Sequence, residues 1–359
     1  MLLPIVLAAL ISVPSPAGPG AAGAHLASAP GGALLMSWFE PAAGKKHAVK
    51  FATYRNGKWS APKTIVERDD LFVNWADFPS IVADENGVLF VHWLQKSGKG
   101  TYAYDVWITA SSDGGKTWKT PRVLHRKGKE SEYGFVSLVP AAGGGVSAVW
   151  LDGRDMAVGH DHGGAMAIRY TEVDAALRTK GETVLDARVC ECCTTAMTMT
   201  ASGPLVAYRD RSEEEIRDIA FTRRVKGNWS KPARVHPDDW KIAGCPVNGP
   251  QLDARGNNAV MAWFAAPANQ ARVSAAFSRD GGATFGKPVR IDSGNAAGRV
   301  DVVMLADGSA LVTWIEKDAI FVRRAFADGR LGKPEKIAST TSARASGFPR
   351  AALIGTEAY

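Results

Sequence analysis

Cys190, Glu191, Cys192 and Cys193 stand in one run, Val-Cys-Glu-Cys-Cys-Thr, and the remaining cysteine of the chain is Cys245. In an extended segment side chains alternate, so Cys190 and Cys192 are expected on one side and Cys193 on the other. Cys245 falls at the equivalent place of the next sequence repeat and could lie beside them. Three chemistries fit these thiols. They could form two disulfides, one between the adjacent Cys192 and Cys193 and one reaching Cys245. They could bind a soft metal, copper(I) or zinc, with Met197, Met199, His160 and His162 as further ligands, although the spacing matches no standard zinc pattern. Or one thiol near arginines could have a lowered pKa and act in redox chemistry.

A second set of residues is charged. Arg209, Arg299 and Arg350 could together bind a carboxylate or sulfate in bidentate fashion. Salt bridges to Asp152, Asp210 and Asp301 are an equally available use for them. Asp77, Arg154, Arg211 and Asn248 complete the candidate ligand-binding set. His160 and His162 lie in Gly-His-Asp-His-Gly-Gly, which reads as a solvated loop unless the nearby cysteines recruit it. His25 could chelate copper if it became the first residue of a processed chain, through its amine and imidazole.

These residues need a scaffold, and a repeat supplies one. Short apolar strands close on Trp38, Trp93, Trp150, Tyr208, Trp263 and Trp314, at steps of 51 to 58 residues. Each follows a turn rich in Gly, Asp or Asn, such as Ala-Asp-Glu-Asn-Gly or Leu-Ala-Asp-Gly-Ser. A second marker recurs with the same period at Trp59, Trp118, Trp229, Phe285 and Leu331, and only the third unit lacks it, offering a different segment near Leu177. A unit of about 55 residues with four strands cannot cover both faces of its sheet without neighbours, and closing the units into a ring provides them. The expectation is an all-β, six-bladed β-propeller of four-stranded antiparallel blades. A TIM barrel would need helical stretches that the sequence does not offer. In a propeller the start of each inner strand and the end of the second strand open on one face near the axis. That face should gather Asp77, Glu132, Tyr133, the cysteines, Asn248, Arg299, Asp301 and Arg350, with Asp152, Arg154, Arg209 and Arg211 at its rim. The final Ser-Gly-Phe-Pro-Arg-Ala-Ala-Leu segment resembles another inner strand, and either closes the ring or begins a truncated seventh unit.

Hydrophobic residues make up 46% of the 359 and charged residues 22%, with 37 glycines and 19 prolines, a composition that suits many short strands and excludes disorder. The formal net charge is +7, but Lys and Arg are interspersed with acids, which argues against nucleic acid as a partner. An acidic glycan or a protein ligand fits better, bound by a monomer. The N-terminus, Met-Leu-Leu-Pro-Ile-Val-Leu-Ala-Ala-Leu-Ile-Ser-Val, is too short to span a bilayer and leads to small residues. Residues 1–24 read as a signal peptide cut after Ala24, leaving a single propeller domain over 25–359 in the periplasm or outside the cell, without a transmembrane segment.

Ser111 to Trp118, Ser-Ser-Asp-Gly-Gly-Lys-Thr-Trp, and Ser278 to Phe285, Ser-Arg-Asp-Gly-Gly-Ala-Thr-Phe, resemble the Asp-box of the sialidases, the pattern Ser-x-Asp-x-Gly-x-Thr-Trp/Phe. In that family the box is a fold marker in the outer turn of a blade, away from the catalytic site. With degenerate relatives around Trp59 and Trp229, the resemblance spans about residues 25 to 340. It implies a glycosidase with three arginines for a substrate carboxylate, a tyrosine nucleophile assisted by a glutamate, and an aspartic acid proton donor. The Arg-Ile-Pro motif that opens the first sialidase blade is absent from His25–Phe39, and its nearest echo is Phe-Pro-Arg350. The chain is therefore expected to bind a ligand, metal or protein on its cysteine- and arginine-bearing face without sialidase activity. The alternative is an exo-α-sialidase-like hydrolase of acidic glycans, with Tyr133 or Tyr208 against a glutamate.

Overall fold

The computed structural model describes residues 10–126, 128, 130–156 and 164–359. They build six antiparallel blades around a central axis, and the strand order within each blade follows the chain from the inside outward. The inner strands are Ala22–Ala29, Ser80–Ala83, Tyr133–Pro140, Ala196–Thr200, Gln251–Arg255 and Ala296–Met304. Successive inner strands lie side by side around the axis. In blades 1 and 4 the outer edge is split into two short pieces, Lys58–Trp59 with Lys63–Arg68 and Asn228–Trp229 with Ala233–Arg234.

The repeat of aromatic residues is the core of the ring. Trp38, Trp93, Trp150, Tyr208, Trp263 and Trp314 all sit on second strands and all are buried. Two residues after four of them stands an acid, and in three blades it takes the indole proton: Trp38 Nε1 donates to Glu40, Trp150 to Asp152 and Trp314 to Glu316, at 2.8 to 3.0 Å. An indole N–H buried without an acceptor would cost roughly 1–3 kcal/mol, so the acid is part of the core pattern.

The two Asp-box turns carry the same bonds. Asp113 accepts from the backbone of Lys116 and Thr117 and from the Thr117 hydroxyl, and Asp280 does so from Ala283 and Thr284. Their terminal aromatics point back to the preceding blade: Trp118 meets Phe51 edge-on at 5.6 Å and Phe285 meets Phe221 at 5.0 Å. Gly115, at φ +75°, lies so close to the Phe51 ring that a Cβ would collide with it. The box is thus a seam fastener as well as a turn.

The ring closes with a short hairpin, Leu353–Ile354 and Glu357–Ala358. Asp301 of blade 6 accepts the N–H of Ala351, and Leu353 exchanges hydrogen bonds with Ser28 of blade 1. Ala352, Ile354 and Tyr359 pack with Leu34 and Tyr54 of blade 1. The C-terminal segment is therefore a two-stranded wedge between blades 6 and 1. The inner strand of blade 1 begins at Ala22, three residues before His25, and Gly18 donates to Glu40 of the same blade. No described helix is long and apolar enough to cross a membrane.

Candidate functional site

A cavity of about 510 Å³ runs along the axis, lined by all six inner strands and by Arg350–Leu353. Asp77, Asp253, Asp301, His25 and Arg350 all border it. Burial pushes Asp77 up to about 7 and Asp253 to about 6, and raises Asp301 as well. Burial also lowers His25, reinforced by Arg350 and His92. Three buried polar atoms of the lining, His25 Nδ1, Thr194 Oγ1 and Arg350 Nε, have no hydrogen-bond partner among the described residues. The Arg350 guanidinium lies 4.5 Å over the Phe78 ring. At the start end of the strands, Trp75 and Phe348 stack at 5.9 Å, with the Arg299 guanidinium 5.1 Å over Trp75.

The three arginines do not converge as a carboxylate clamp. Arg209 is buried and gives its protons to the carbonyls of Asn248, Arg217 and Phe264 at 2.6 to 3.1 Å. Arg299 donates to the carbonyls of Ser342, Ala343 and Gly347. Both are tied to main chain, since loops crossing the axis leave carbonyls that no sheet partner reaches. Neither ion-pairs with Asp152 or Asp210; of the three, only Arg350 borders the cavity. Asp152 is likewise absorbed, taking the Trp150 indole proton and holding Arg154, which also pairs with Glu182. Arg211 pairs with Glu191 and Glu215. Asn248 accepts the N–H of Arg299 at 2.6 Å, and Asp77 accepts that of Phe135 in the same way. Arg299 and Phe135 both have positive φ and both follow a glycine, so these two acceptors hold matching bulges at the 2–3 and 5–6 seams.

A tyrosine–carboxyl contact lies where the sequence did not place it. Tyr208 donates to Asp186 at 2.8 Å, and Tyr133 stacks on His125 at 3.8 Å. Tyr104 instead donates to Glu132 at 2.7 Å. Burial raises Glu132 to about 7, and Asp77 adds to the upward shift of Tyr104. Tyr104 ends a gap between strands that has no sequence marker, so only the parallel bridge between Tyr104 and Glu132 brings the two together.

The cysteines depart from the alternating pattern. Residues 191 and 192 form a turn, so the chain folds around its own thiols and all three point inward. Cys190 Sγ is 3.8 Å from Cys192 Sγ and 3.6 Å from Cys193 Sγ. Cys190 and Cys193 are buried, and Cys245, exposed on the loop before blade 5, lies near the Cys192 thiol but outside the group of three sulfurs within 4.8 Å. Arg217, which the sequence did not single out, donates from Nη1 to Cys190 Sγ at 3.1 Å and to Glu191 at 3.0 Å. The Cys192 and Cys193 thiols and then the Arg217 cation hold Cys190 well below the usual thiol range. Met197 is a core residue of blade 4, in a cluster that Cys192 packs against, and Met199 lies two residues further along the same strand. His160 and His162 lie outside the described residues.

No family model matches this chain, and no curated protein does. Among solved structures it is similar to a lectin from Burkholderia pseudomallei, with a TM-score of 0.61 and 15% identity over 93% of this chain and 90% of that one. An α-L-arabinanase from Penicillium chrysogenum, complexed with arabinobiose, matches at 0.51 and 13% identity over 91% and 96%. A Hadza microbial sialidase matches at 0.49 and 14% identity over 82% of this chain, which spans 63% of the sialidase's length. At these identities the likeness is one of fold, and it agrees with six blades counted strand by strand. The chain is a six-bladed antiparallel β-propeller.

Proposed function

We propose that this is an exported propeller that binds, without hydrolysing, an acidic saccharide in its axial cavity. The observation that carries this reading is the cavity of about 510 Å³ whose wall brings the Arg350 cation together with Asp77, Asp253 and Asp301. Arg350 supplies a cation for an acidic group, and Asp77, Asp253 and Asp301 supply acceptors for hydroxyls. Binding rather than sialidase chemistry is supported by the commitment of Arg209 and Arg299 to main-chain carbonyls. The neighbours described as a lectin and as an arabinanase with arabinobiose are in line with a saccharide ligand.

The test is calorimetric titration of the full chain with sialic acid, a uronic acid and neutral monosaccharides, repeated with Arg350→Met. Binding of an acidic sugar that weakens at least tenfold in the variant, with the fold intact by circular dichroism, supports the reading. Absence of binding by all of them sinks it.

One observation favours a glycosidase. The Tyr104–Glu132 pair, with Asp77 beside it, holds the residue types of a tyrosine nucleophile, its assisting carboxylate and a proton donor. Tyr104, however, is buried and stacked on Phe72 at 4.0 Å. Sialoside hydrolysis by the wild type that Tyr104→Phe abolishes would establish this second reading in place of the first.

A further inference from the structure

The thiols form a cluster distinct from the axial cavity, and its dimensions are those of a metal centre. The ligand sulfurs of Cys190, Cys192 and Cys193 all lie within 4.8 Å of one another. The two short separations are 3.8 and 3.6 Å. A disulfide needs about 2.05 Å between sulfurs. Four sulfurs arranged tetrahedrally around an ion at about 2.3 Å stand about 3.8 Å apart. Two edges of the three-sulfur cluster therefore already match those of a thiolate coordination shell.

The local chain explains why. Val189 bridges Asp210 and the Cys190 N–H is tied to the Arg209 carbonyl, which anchors one end. The inner strand of blade 4 begins at Ala196 and anchors the other. The turn between them turns the thiols toward one point. Cys245, from the neighbouring blade, lies near the Cys192 thiol but outside the 4.8 Å group, on a loop exposed enough to close over an ion. Arg217 at Cys190, with Arg209 beside Cys193, offsets the negative charge that several thiolates would bring. Glu191 is engaged by Arg211 and Arg217, so the donor set is sulfur alone.

We propose that Cys190, Cys192 and Cys193, with Cys245 as fourth donor, hold one thiophilic closed-shell cation, zinc(II) or copper(I), on the face where the inner strands start. Soft thiolates select such ions over hard ones. Binding displaces the thiol protons to solvent and leaves the oxidation state of sulfur and metal unchanged.

The experiment uses the full chain, reduced and handled without oxygen, given zinc(II) alone in one arm and copper(I) alone in the other. Native mass spectrometry and elemental analysis after gel filtration are expected to show one ion per chain in at least one arm. The bound species should weigh the free chain plus the ion less one hydrogen for each thiolate formed, and the arm that loads names the metal. Cys190→Ser and Cys193→Ser should each lower retention at least tenfold, and Cys245→Ser should weaken it while leaving binding measurable. Proton release on titrating the wild type provides a second readout should a variant fail to fold. Three results overturn the proposal: no retained ion in either arm, retention unchanged in Cys190→Ser and Cys193→Ser, or a natively isolated chain lighter by the hydrogens of two disulfides. None depends on whether a saccharide binds at Arg350.

Discussion

The Asp77 carboxylate accepts the backbone N–H of Phe135 across the seam between blades 2 and 3, where Asn248 serves Arg299 between blades 5 and 6. One seam thus uses an ionisable acceptor and its counterpart a neutral one. Burial raises Asp77 to about 7. A carboxyl whose folded pKa exceeds its unfolded value binds more protons when folded, so its contribution to stability falls as pH rises between the two. Glu132, raised to about 7, and Asp253, raised to about 6, act with the same sign. The lowered His25, His92 and His125 act with the opposite sign, so the Asp77 contribution is read from the difference in urea midpoint between wild type and an Asp77 variant from about pH 4 to pH 7. Asp77→Asn keeps the acceptor and removes the titration, so its midpoint should gain on that of the wild type as pH rises, whereas Asp77→Ala also leaves the Phe135 N–H unpaired and should cost roughly 1–3 kcal/mol more than Asp77→Asn at every pH. An unchanged slope in Asp77→Asn would show that Asp77 is not the titrating group.

Arg209 reaches three carbonyls from three nitrogens spread over a rigid plane. A lysine ammonium is a point and cannot span them. Arg209→Lys should lower the urea midpoint nearly as much as Arg209→Ala, each buried carbonyl left unpaired costing about 1–3 kcal/mol. A wild-type midpoint for the lysine variant would refute this role.

Gly115 and Gly57 both have positive φ, but only Gly115 faces a ring, that of Phe51. Gly57→Ala should cost about 1 kcal/mol for its backbone conformation. Gly115→Ala adds overpacking at the seam, about 1–3 kcal/mol more. Comparing the thermal midpoints of the two variants isolates the contact between blades from the turn.

Deleting residues 351–359 removes the wedge between blades 6 and 1, including the Leu353–Ser28 and Ala351–Asp301 bonds. The inner strands of those blades would then present free edges, which invite pairing with other chains. The truncated protein should melt at lower temperature and elute partly as oligomers in size-exclusion chromatography. A monomer with the wild-type midpoint would mean that the six blades close without it.

The number of blades, their strand order and their core were legible in the chain because period and alternation are local. Trp38 through Trp314 recur once per blade, and burying them is what the blade is for. The acids two residues after Trp38, Trp150 and Trp314 were equally visible, and reading them as indole acceptors would have removed Asp152 from the ligand candidates. What spacing cannot encode is how loops from different blades share the axis. Arg209, Arg299 and Arg350 look alike in sequence, yet two were drawn to carbonyls that lie up to 55 and 48 residues away, and one was left at the cavity. The thiols of Cys190, Cys192 and Cys193 converge because a turn replaced the extended strand that alternation assumes. Tyr104 met Glu132 only when blades 2 and 3 packed side by side, and Arg217 met Cys190 when the loop into blade 4 folded back onto that blade's own strands. Sequence by itself determined the repeating unit, since each blade's burial pattern is written within its own 55 or so residues. Tertiary structure decided which polar groups remain unspent, because that depends on main-chain atoms brought near by closure of the ring.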